Sequence, residues 1–527
     1  MSKPHNQEKV DVVIVGSGAA GSLMAAKLAE AGKKVVILEA GPERKLTDLV
    51  SSGLNARRLK WAGSPVEQSG SHTVGNGFNS GFGTGGAALH HYAVWPRFHA
   101  EDFDMQSRYG KGLDWPVSYD ELRPWYDRIQ TEVGISGDAE QEVWRPAGDP
   151  YPMGPVPTFG QGEVIARGFD KLGRKTAPLP LAINTENYHG REACIWDGWC
   201  DAGCPIRALA NPQTVYLPRA FAKGAEIRHR ATVFHIDTDT KGGKATGVSY
   251  YDEQGQENFQ PAELVVLAAF AVQTPRLMLM STSDKHPHGI ANKNDMVGRY
   301  LMSHAAGLVF GLFDEETQCY LGATGGQLVN QDNYDHKDKR GQGFGSYQWM
   351  IAQATKPNDL LGYGGSNPAL FGNKLTDFMK KATRGFATMT ACVEDLPVAE
   401  NRVTLSSSKD GHGLPRAHAH HDMHPDSIAL WKDSQVDGTR VFEAAGAGEI
   451  WTNNPPGAMH IMGGTIMGED SATSVTNSFG QTHEVPNLVI AGPGLFPTSG
   501  GVNPTFTVHA VTLRSADHII RNWSSLT

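Results

Sequence analysis

The stretch VDVVIVGSGAAG, residues 10–21, decides the fold of this chain of 527 residues. Its first half is a continuous apolar run, which suits a strand buried on both faces. Its second half, from Gly16 to Gly21, matches the pattern GxGxxG directly after that strand. A helical stretch, LMAAKLAEAGK, and a second apolar strand, KVVILEAG, follow. The order of strand, glycine loop, helix and strand predicts a βαβ unit of a parallel sheet.

The same loop predicts a dinucleotide site. In this pattern the first glycine makes the tight turn, the second lets the backbone approach a pyrophosphate, and the third allows close helix–strand packing. The helix N-terminus attracts the phosphate charge. Glu39, at the end of the second strand, is placed to accept hydrogen bonds from a ribose diol. The alternative is a chance glycine loop, but the flanking strands argue for a nucleotide, and the sequence Glu39-Ala40-Gly favours FAD over NAD.

Composition limits the class of protein. Apolar residues make up 39% and charged residues 20% of the chain, as in globular proteins. A formal net charge of −9 argues against a nucleic-acid partner. The longest apolar runs, such as residues 264–272, are too short to cross a bilayer. The N-terminal segment has no signal-peptide hydrophobic core, so we expect the chain by itself to stay in the cytoplasm.

The chain is too long for one hydrophobic core. We expect an α/β nucleotide-binding domain assembled from residues 1–97, 215–304 and 480–527. Residues 98–214 are irregular and rich in Trp, Pro and Tyr, which predicts a cap. Residues 305–479 predict an inserted α+β domain with an antiparallel sheet, and within residues 305–455 long polar loops separate the strands.

Two more glycine-rich motifs stand out. The loop GFGTGGAALHH, residues 81–91, could approach a pyrophosphate and a flavin ring from the other side, although it could also be a surface turn. The motif HIMGGTIMG begins at His460, and GVNPT follows at residues 501–505. A histidine in such an apolar setting can also be an ordinary core residue.

Together these motifs resemble the glucose–methanol–choline (GMC) oxidoreductase family over almost the whole chain. RYGKGLDWPVSYDELRPWYDRI and NDMVGRYLMSHAAG are similar to the branch of bacterial membrane-linked sugar dehydrogenases. The resemblance implies a GMC-type FAD-binding domain, with His460 as the catalytic base and Asn503 as its partner. The FAD contacts that it implies are Gly16, Ser17, Gly18, Ala20, Gly21, Glu39, Ala40, Gly85, Gly86, His90, Val233, Asn503 and Thr505.

The chemistry agrees with these roles. Oxidation of an alcohol moves a hydride from carbon to the flavin N5, and the hydroxyl proton needs an acceptor. A neutral His460 can accept that proton, since the unperturbed pKa of histidine is about 6.5. The amide of Asn503 can donate to the same oxygen.

The sequence departs from the family pattern in three places. Phe270 stands where relatives usually have glycine, GPG at residues 492–494 replaces Asp-Gly-Ser, and MSHAAG at residues 302–307 replaces a motif of the form MDHP. These changes concern the finer flavin and substrate contacts. His90 stands where one branch links its flavin covalently to histidine. We expect non-covalent FAD, with a covalent link still open.

Three of the five cysteines lie within CIWDGWCDAGCP, at Cys194, Cys200 and Cys204. The residues alone leave four interpretations open: buried structural cysteines, a disulfide with a spare thiol, a zinc site with His189, or an iron–sulfur cluster. The resemblance implies a 3Fe–4S cluster, because the sugar dehydrogenases carry three cysteines at the same spacing. Cys319 and Cys392 lie far from this motif, in the expected substrate domain, and are expected to be ordinary buried residues.

The resemblance therefore implies a sugar dehydrogenase in which electrons leave FAD through the cluster to a cytochrome or quinone-linked acceptor. It also implies a small subunit that carries the export signal and takes the chain to the periplasm. Oxidation of a glucoside or glucose at C3 is favoured, with glucose or gluconate at C1 or C2 still open. The alternatives are an oxidase that resembles pyranose oxidase and uses O2, and a redox-inactive FAD-binding subunit.

Overall fold

The computed structural model of the protein describes residues 5–60, 63, 65–74, 81–335, 337–338, 343–365 and 367–527. Its strands are β1 His5–Asn6, β2 Val10–Val15, β3 Val35–Leu38, β4 Glu67–Ser69, β5 Ala177–Pro178, β6 Glu226–Arg228, β7 Thr232–Thr238, β8 Ala245–Tyr251, β9 Glu257–Leu267, β10 Met302–Leu312, β11 Leu328–Asn330, β12 Tyr347–Ile351, β13 Phe386–Val393, β14 Arg402–Lys409, β15 Pro415–His420, β16 Glu449–Thr452, β17 Gly457–Met462 and β18 Leu488–Ile490.

The helices are α1 Ala19–Glu30, α2 Gly53–Lys60, α3 Met105–Tyr109, α4 Tyr119–Val133, α5 Gly160–Lys171, α6 Leu217–Phe221, α7 Phe270–Met280, α8 Pro357–Gly365, α9 Asn373–Gly385, α10 Pro425–Ala445, α11 Thr505–Arg521 and α12 Trp523–Leu526. Within the described ranges, no helix combines the length and the apolar character that a membrane crossing requires.

The first sheet has eight strands and is built around β2 and β9. Strands β6, β3, β2, β9 and β18 run parallel, and β8 and β7 add an antiparallel edge. The central residues Val12, Val13 and Ile14 are fully buried, which is the reason that the strand reads as a continuous apolar run. Helix α1 packs against α6 and α11 beside this sheet.

The second sheet has seven antiparallel strands in the order β16, β10, β13, β12, β11 and β5, with β17 also paired to β10. Helices α5 and α10 cover one face. The close approach of α10 requires Gly438, where an added Cβ would lie 2.6 Å from a methyl of Val309 and 2.7 Å from the Trp349 ring. This packing buries Trp349 and Phe442 completely.

A parallel nucleotide-type sheet beside an antiparallel sheet confirms the predicted fold class. The domain boundaries stay a prediction, although β5 from the cap pairs with β11 of the antiparallel sheet. The expectation of long polar loops in residues 305–455 is wrong for three stretches, which form α8, α9 and α10. Helices α8 and α10 have no strong apolar period, whereas α9 is clearly amphipathic.

Candidate active site

The two glycine loops meet at the Glu39 carboxylate, which follows β3. The backbone N–H and the hydroxyl of Ser17 donate to Glu39 Oε2 at 3.0 and 2.6 Å. The N–H groups of Gly41 and Gly83 donate to Oε1 at 2.9 and 3.2 Å. The N–H of Gly85 in turn donates to the Ser17 hydroxyl at 3.1 Å. Glu39 therefore fastens the loop after β2 to the second glycine loop.

The glycines differ in how much room they have. An added Cβ would lie 2.6 Å from the Ala268 carbonyl oxygen at Gly16, where φ is +100°, and 2.1 Å from the Gly16 carbonyl oxygen at Gly21. At Gly18 the nearest atom would be the Gly85 carbonyl oxygen, 4.0 Å away. Gly16 and Gly21 are thus needed for packing, whereas Gly18 leaves open backbone at the helix start, as a bound pyrophosphate requires.

His90 ends the second glycine loop and is buried. Burial lowers the pKa of its imidazole to about 3, so the ring is neutral. Within the described ranges its Nε2 has no hydrogen-bond partner. A buried polar atom without a partner beside a glycine cradle fits a bound cofactor, and these residues therefore fit FAD.

The other predicted FAD contacts surround the same edge of the sheet. Ala20 is buried in α1, and Ala40 follows Glu39. The N–H of Ala231 donates to the Glu39 carbonyl at 2.9 Å, which places the start of β7, with Val233, next to the ribose end of the cradle. Thr505 begins α11. Thr505 lines a small cavity together with Ala88 and His91 of the second glycine loop.

Two of the departures from the family pattern lie at positions where φ is positive. Phe270 has φ +74°, a conformation in which glycine is the usual residue. The strain of a bulky residue there is on the order of 1–2 kcal/mol. Gly492 has φ +124°, so glycine is needed at this position after β18.

His460 lies at a β-bulge between β10 and β17. Ser303 pairs with Ile461 and His304 pairs with Met459, so His460 is the extra residue. Its φ is +58°. A bulge re-aims a side chain, as is common next to active sites, and here the imidazole points toward Asn503.

The predicted catalytic pair lies together. Asn503 Nδ2 is 3.0 Å from His460 Nε2. Asn503 Oδ1 accepts a hydrogen bond from Gln348 Nε2 at 2.8 Å, and Gln348 Oε1 accepts one from Gln331 Nε2 at 3.0 Å. Enclosure of the ring, with a smaller effect of His304, holds the pKa of His460 well below its usual value. The imidazole is therefore a neutral base.

Two more groups contact His460, and the sequence did not point to them. His304 Nδ1 lies 3.0 Å from His460 Nδ1. Cys392 is fully buried, as expected, and its Sγ lies 3.9 Å from the same nitrogen, a contact that the sequence did not indicate. The only signal for His304 was its place in the departing motif MSHAAG.

The ligand atoms of His304, Cys392 and His460 lie within 4.8 Å of one another, a spacing that could suit a metal ion. The bond between the two Nδ1 atoms, however, uses the lone pair that a metal would need. Burial also raises the pKa of the Cys392 thiol well above its usual value, so the thiol keeps its proton. The geometry therefore favours a hydrogen-bonded pair.

Cys194, Cys200 and Cys204 converge beside Asp201. All five cysteines have free thiols, which argues against the disulfide. His189 is exposed and hydrogen-bonds the Thr131 carbonyl at 3.1 Å, so its expected role as a fourth zinc ligand is not supported. Burial raises the pKa of Cys194 to about 12 and that of Cys200 to about 11, and the neighbouring thiols add to both shifts.

The surroundings of these sulfurs suit a cluster better than one ion. In the described part of the chain, the three sulfurs do not all lie within 4.8 Å of one another. The Trp196 N–H donates to Cys194 Sγ at 3.3 Å, and backbone N–H groups of Thr324 and Leu209 donate to Cys200 and Cys204. Hydrogen bonds of this kind to thiolate sulfurs tune iron–sulfur clusters, so the donor set fits such a group.

Comparison with known proteins adds independent information. Two family models described as GMC oxidoreductase match residues 10–306 and 397–512. The chain is 35% identical to a 2-methyl-1,2-propanediol dehydrogenase of Mycolicibacterium austroafricanum, over 98% of this chain and 96% of that protein. It is 32% identical to the fructose dehydrogenase large subunit of Gluconobacter japonicus, over 97% and 98%. It is 29% identical to the gluconate 2-dehydrogenase flavoprotein of Pantoea cypripedii, over 97% and 94%.

Solved structures with the same fold include a formate oxidase of Aspergillus oryzae, with a TM-score of 0.69, 15% identity and complete coverage of both chains. A pyridoxine 4-oxidase from Mesorbium loti has a TM-score of 0.67 and 16% identity over 96% of this chain and 98% of that one. At these identities the likeness concerns the fold alone.

Proposed function

Because the chain belongs to the GMC oxidoreductase family, whose members are FAD-dependent and act on CH–OH groups, we propose that it is a dehydrogenase that oxidises a hydroxyl of a sugar or sugar derivative. The observation that carries this proposal is the pair formed by His460 Nε2 and Asn503 Nδ2, 3.0 Å apart. Two of the three relatives described above are named for fructose and gluconate.

The chain's own residues supply the proton chemistry. His460 Nε2 takes the hydroxyl proton as the substrate C–H bond is broken, because its lowered pKa keeps it unprotonated. Asn503 Nδ2 then donates to the substrate oxygen and holds it at the base. Bound FAD supplies the acceptor for the hydride, and the cradle of Gly16, Gly18 and Glu39 would hold it.

The cysteine segment favours a dehydrogenase over an oxidase. A 3Fe–4S cluster held by Cys194, Cys200 and Cys204 would supply one-electron transfer to an external acceptor. An enzyme that passes both electrons to O2 has no use for such a group. The oxidase that resembles pyranose oxidase is therefore the weaker candidate.

An exposed apolar surface lies beside these cysteines. Val50, Leu54 and Ile195 are 58%, 64% and 65% exposed, which is unusual for large apolar side chains grouped on adjacent segments. The Ser51 hydroxyl contacts Asp197 and helix α2 packs on the Cys200 turn, so these segments adjoin. We assign this surface to a small subunit and to a cytochrome or quinone-linked acceptor, with partner-assisted export to the periplasm.

One experiment tests the class. Protein purified anaerobically is assayed with an artificial electron acceptor on glucose, methyl glucoside, gluconate and fructose, with iron, acid-labile sulfide and FAD measured on the same sample. We expect dye reduction with at least one sugar, little O2 consumption, and about three irons per FAD. Fast O2 consumption without iron would instead support the oxidase. Bound FAD without dye reduction on any of these substrates would support the redox-inactive alternative.

A second substrate class has its own support. The relative with 35% identity is named for 2-methyl-1,2-propanediol, a small branched diol. The same panel therefore includes this diol. If kcat/KM for the diol exceeds the kcat/KM for every sugar, the diol replaces the sugar as the proposed substrate. The roles of His460 and Asn503 would not change.

A further inference from the structure

His304 faces a group that can only accept hydrogen bonds. Its Nε2 lies 2.7 Å from the Gly500 carbonyl oxygen and 3.1 Å from that of Ser499. A carbonyl has no proton to give, so Nε2 must carry the hydrogen. His304 is fully buried, and burial lowers its pKa, so the ring is neutral. A neutral imidazole with hydrogen on Nε2 has a lone pair on Nδ1.

The orientation of the amides on the other side of His460 is consistent with hydrogen on His460 Nδ1. Gln331 donates to Gln348, Gln348 donates to Asn503, and Asn503 Nδ2 faces His460 Nε2. Turning all three amides over would move the hydrogen of His460 to Nε2. Its Nδ1 lone pair would then face the Nδ1 lone pair of His304 at 3.0 Å. Because the Gly500 carbonyl keeps hydrogen on His304 Nε2, it disfavours the arrangement with hydrogen on His460 Nε2.

We propose that His304 is a positioning residue that selects the catalytic tautomer of His460. His304 Nδ1 accepts the hydrogen of His460 Nδ1, which leaves the Nε2 lone pair free for the substrate hydroxyl. The proposal rests on the proposed function, since it takes His460 as the base.

The same bond assists the reaction without carrying the proton onward. When the substrate O–H bond breaks, the proton forms a bond to His460 Nε2, and His460 becomes a cation. The hydrogen bond from its Nδ1 to His304 then becomes charge-assisted and stronger. His304 keeps its own hydrogen, because Gly500 offers no group that can take a proton.

The hydrogen bond to His304 helps to fix the imidazole of His460, whose backbone lies at an irregular position of the strand. It is the extra residue of a bulge with φ +58°. The titratable groups that face His304 are His460 and Cys392, with Asp395 and Asp102 at longer range. None of them replaces the acceptor at Nδ1, since Cys392 Sγ is 3.9 Å from His460 and keeps its proton.

Two substitutions separate this role from packing. In His304→Asn, the side-chain oxygen takes about the place of Nδ1, so the acceptor stays and the bond to Gly500 is lost. In His304→Gln, the side-chain nitrogen takes about the place of Nε2, so the bond to Gly500 stays and the acceptor is lost. Ser303→Ala controls for disturbance of the bulge.

We expect His304→Gln to lower kcat about 10- to 100-fold, less than the loss of about 10⁴-fold when an ionic partner of a catalytic histidine is neutralised. KM and FAD content should not change. His304→Asn should keep kcat within about fivefold, because it keeps the acceptor. Equal losses in both variants, or full activity of His304→Gln, would overturn the proposal.

A second measurement needs no turnover. In apo protein labelled with ¹⁵N-histidine, the His460 signals are identified as those lost in His460→Gln. We expect hydrogen on Nδ1 in the wild type and in His304→Asn, and a shift toward Nε2 in His304→Gln. Hydrogen on Nε2 in the wild type would refute the proposal. Failure of every alcohol in the dye assay would instead refute the proposed function, whatever the tautomer.

Discussion

Gln348 Nε2 donates to Asn503 Oδ1 at 2.8 Å, and this bond leaves Asn503 only its Nδ2 to offer to His460. The orientation of the catalytic amide is thus set by a residue of β12, in the antiparallel sheet, which does not contact His460 through any hydrogen bond described above. The antiparallel sheet and the loop before α11 therefore form this pair jointly.

Gln348→Met should lower kcat about tenfold. The substitution removes a buried hydrogen bond worth about 1–1.5 kcal/mol and lets the Asn503 amide turn over. Gln331→Met, one bond further away, should lower kcat only about two- to threefold. Steady-state kinetics with FAD content checks both. A larger loss in the Gln331 variant would contradict this order.

The acid limb of kcat/KM should lie below pH 6.5. The base works when neutral, and enclosure, with a smaller effect of His304, lowers the pKa of His460 well below 6.5. As the pH falls through 6.5, His460 therefore stays unprotonated and kcat/KM is maintained. The value of kcat/KM falls only at lower pH, where His460 becomes protonated. Brief assays between pH 8 and pH 4.5 measure this limb, with FAD content checked at each pH. An inflection at pH 6.5 or above would contradict it.

Local sequence patterns were sufficient to predict the nucleotide-binding part of the fold. The strand β2, the glycine loop and Glu39 lie within 30 residues, so short-range rules on burial and turns apply to them directly. The pairing of His460 with Asn503 came from the family resemblance, and the structure places the two side chains together.

The remaining residues of the site could not be predicted from the sequence. His304 meets His460 across 156 positions, through a bulge in the register of β10 and β17. Gln348 meets Asn503 across 155 positions. Contacts of this kind depend on which strands pair and where the register shifts, and a single sequence does not specify either. Helices α8 and α10 were missed because tertiary packing, rather than a clear apolar period, stabilises them, whereas α9 has an apolar face that its sequence shows.

Gly18→Ala should lower FAD affinity without lowering the stability of the apo protein. Its added Cβ meets no atom closer than 4.0 Å, so the fold tolerates it, but the methyl group enters the space that a pyrophosphate approaches. Gly21→Ala is the matched contrast, since its Cβ would lie 2.1 Å from the Gly16 carbonyl oxygen. FAD titration and thermal melts of the apo proteins measure both effects. A destabilised Gly18→Ala protein with normal FAD affinity would refute this assignment.

Asp201→Asn should destabilise the cysteine turn. Asp201 is buried between Lys60 Nζ at 2.7 Å and Lys356 Nζ at 3.4 Å. Burial alone would raise the pKa of Asp201, but the two lysines outweigh it and lower that pKa. Loss of the carboxylate leaves Lys60 with only the Tyr92 hydroxyl, whereas Lys356 keeps Asp359 at 3.2 Å. We therefore expect a cost of about 3 kcal/mol, near the lower end for a broken buried ion pair.

Asp197→Asn is the control for this variant, because Asp197 lies in the same segment, at the surface, and has no buried ion pair in the described part of the chain: it contacts the Ser51 hydroxyl at 3.4 Å and the Trp199 N–H at 3.2 Å. Both variants remove one negative charge near the sulfurs, but only Asp201→Asn removes the ion pairs that hold Cys200 and its neighbours. We therefore expect Asp201→Asn to lower both the iron content per chain and the urea midpoint. Asp197→Asn should leave the iron content unchanged and should change the free energy of unfolding by no more than about 0.5 kcal/mol. Equal iron loss in the two variants would mean that charge near the three cysteines, rather than the anchoring of the turn by Lys60 and Lys356, controls the proposed iron binding.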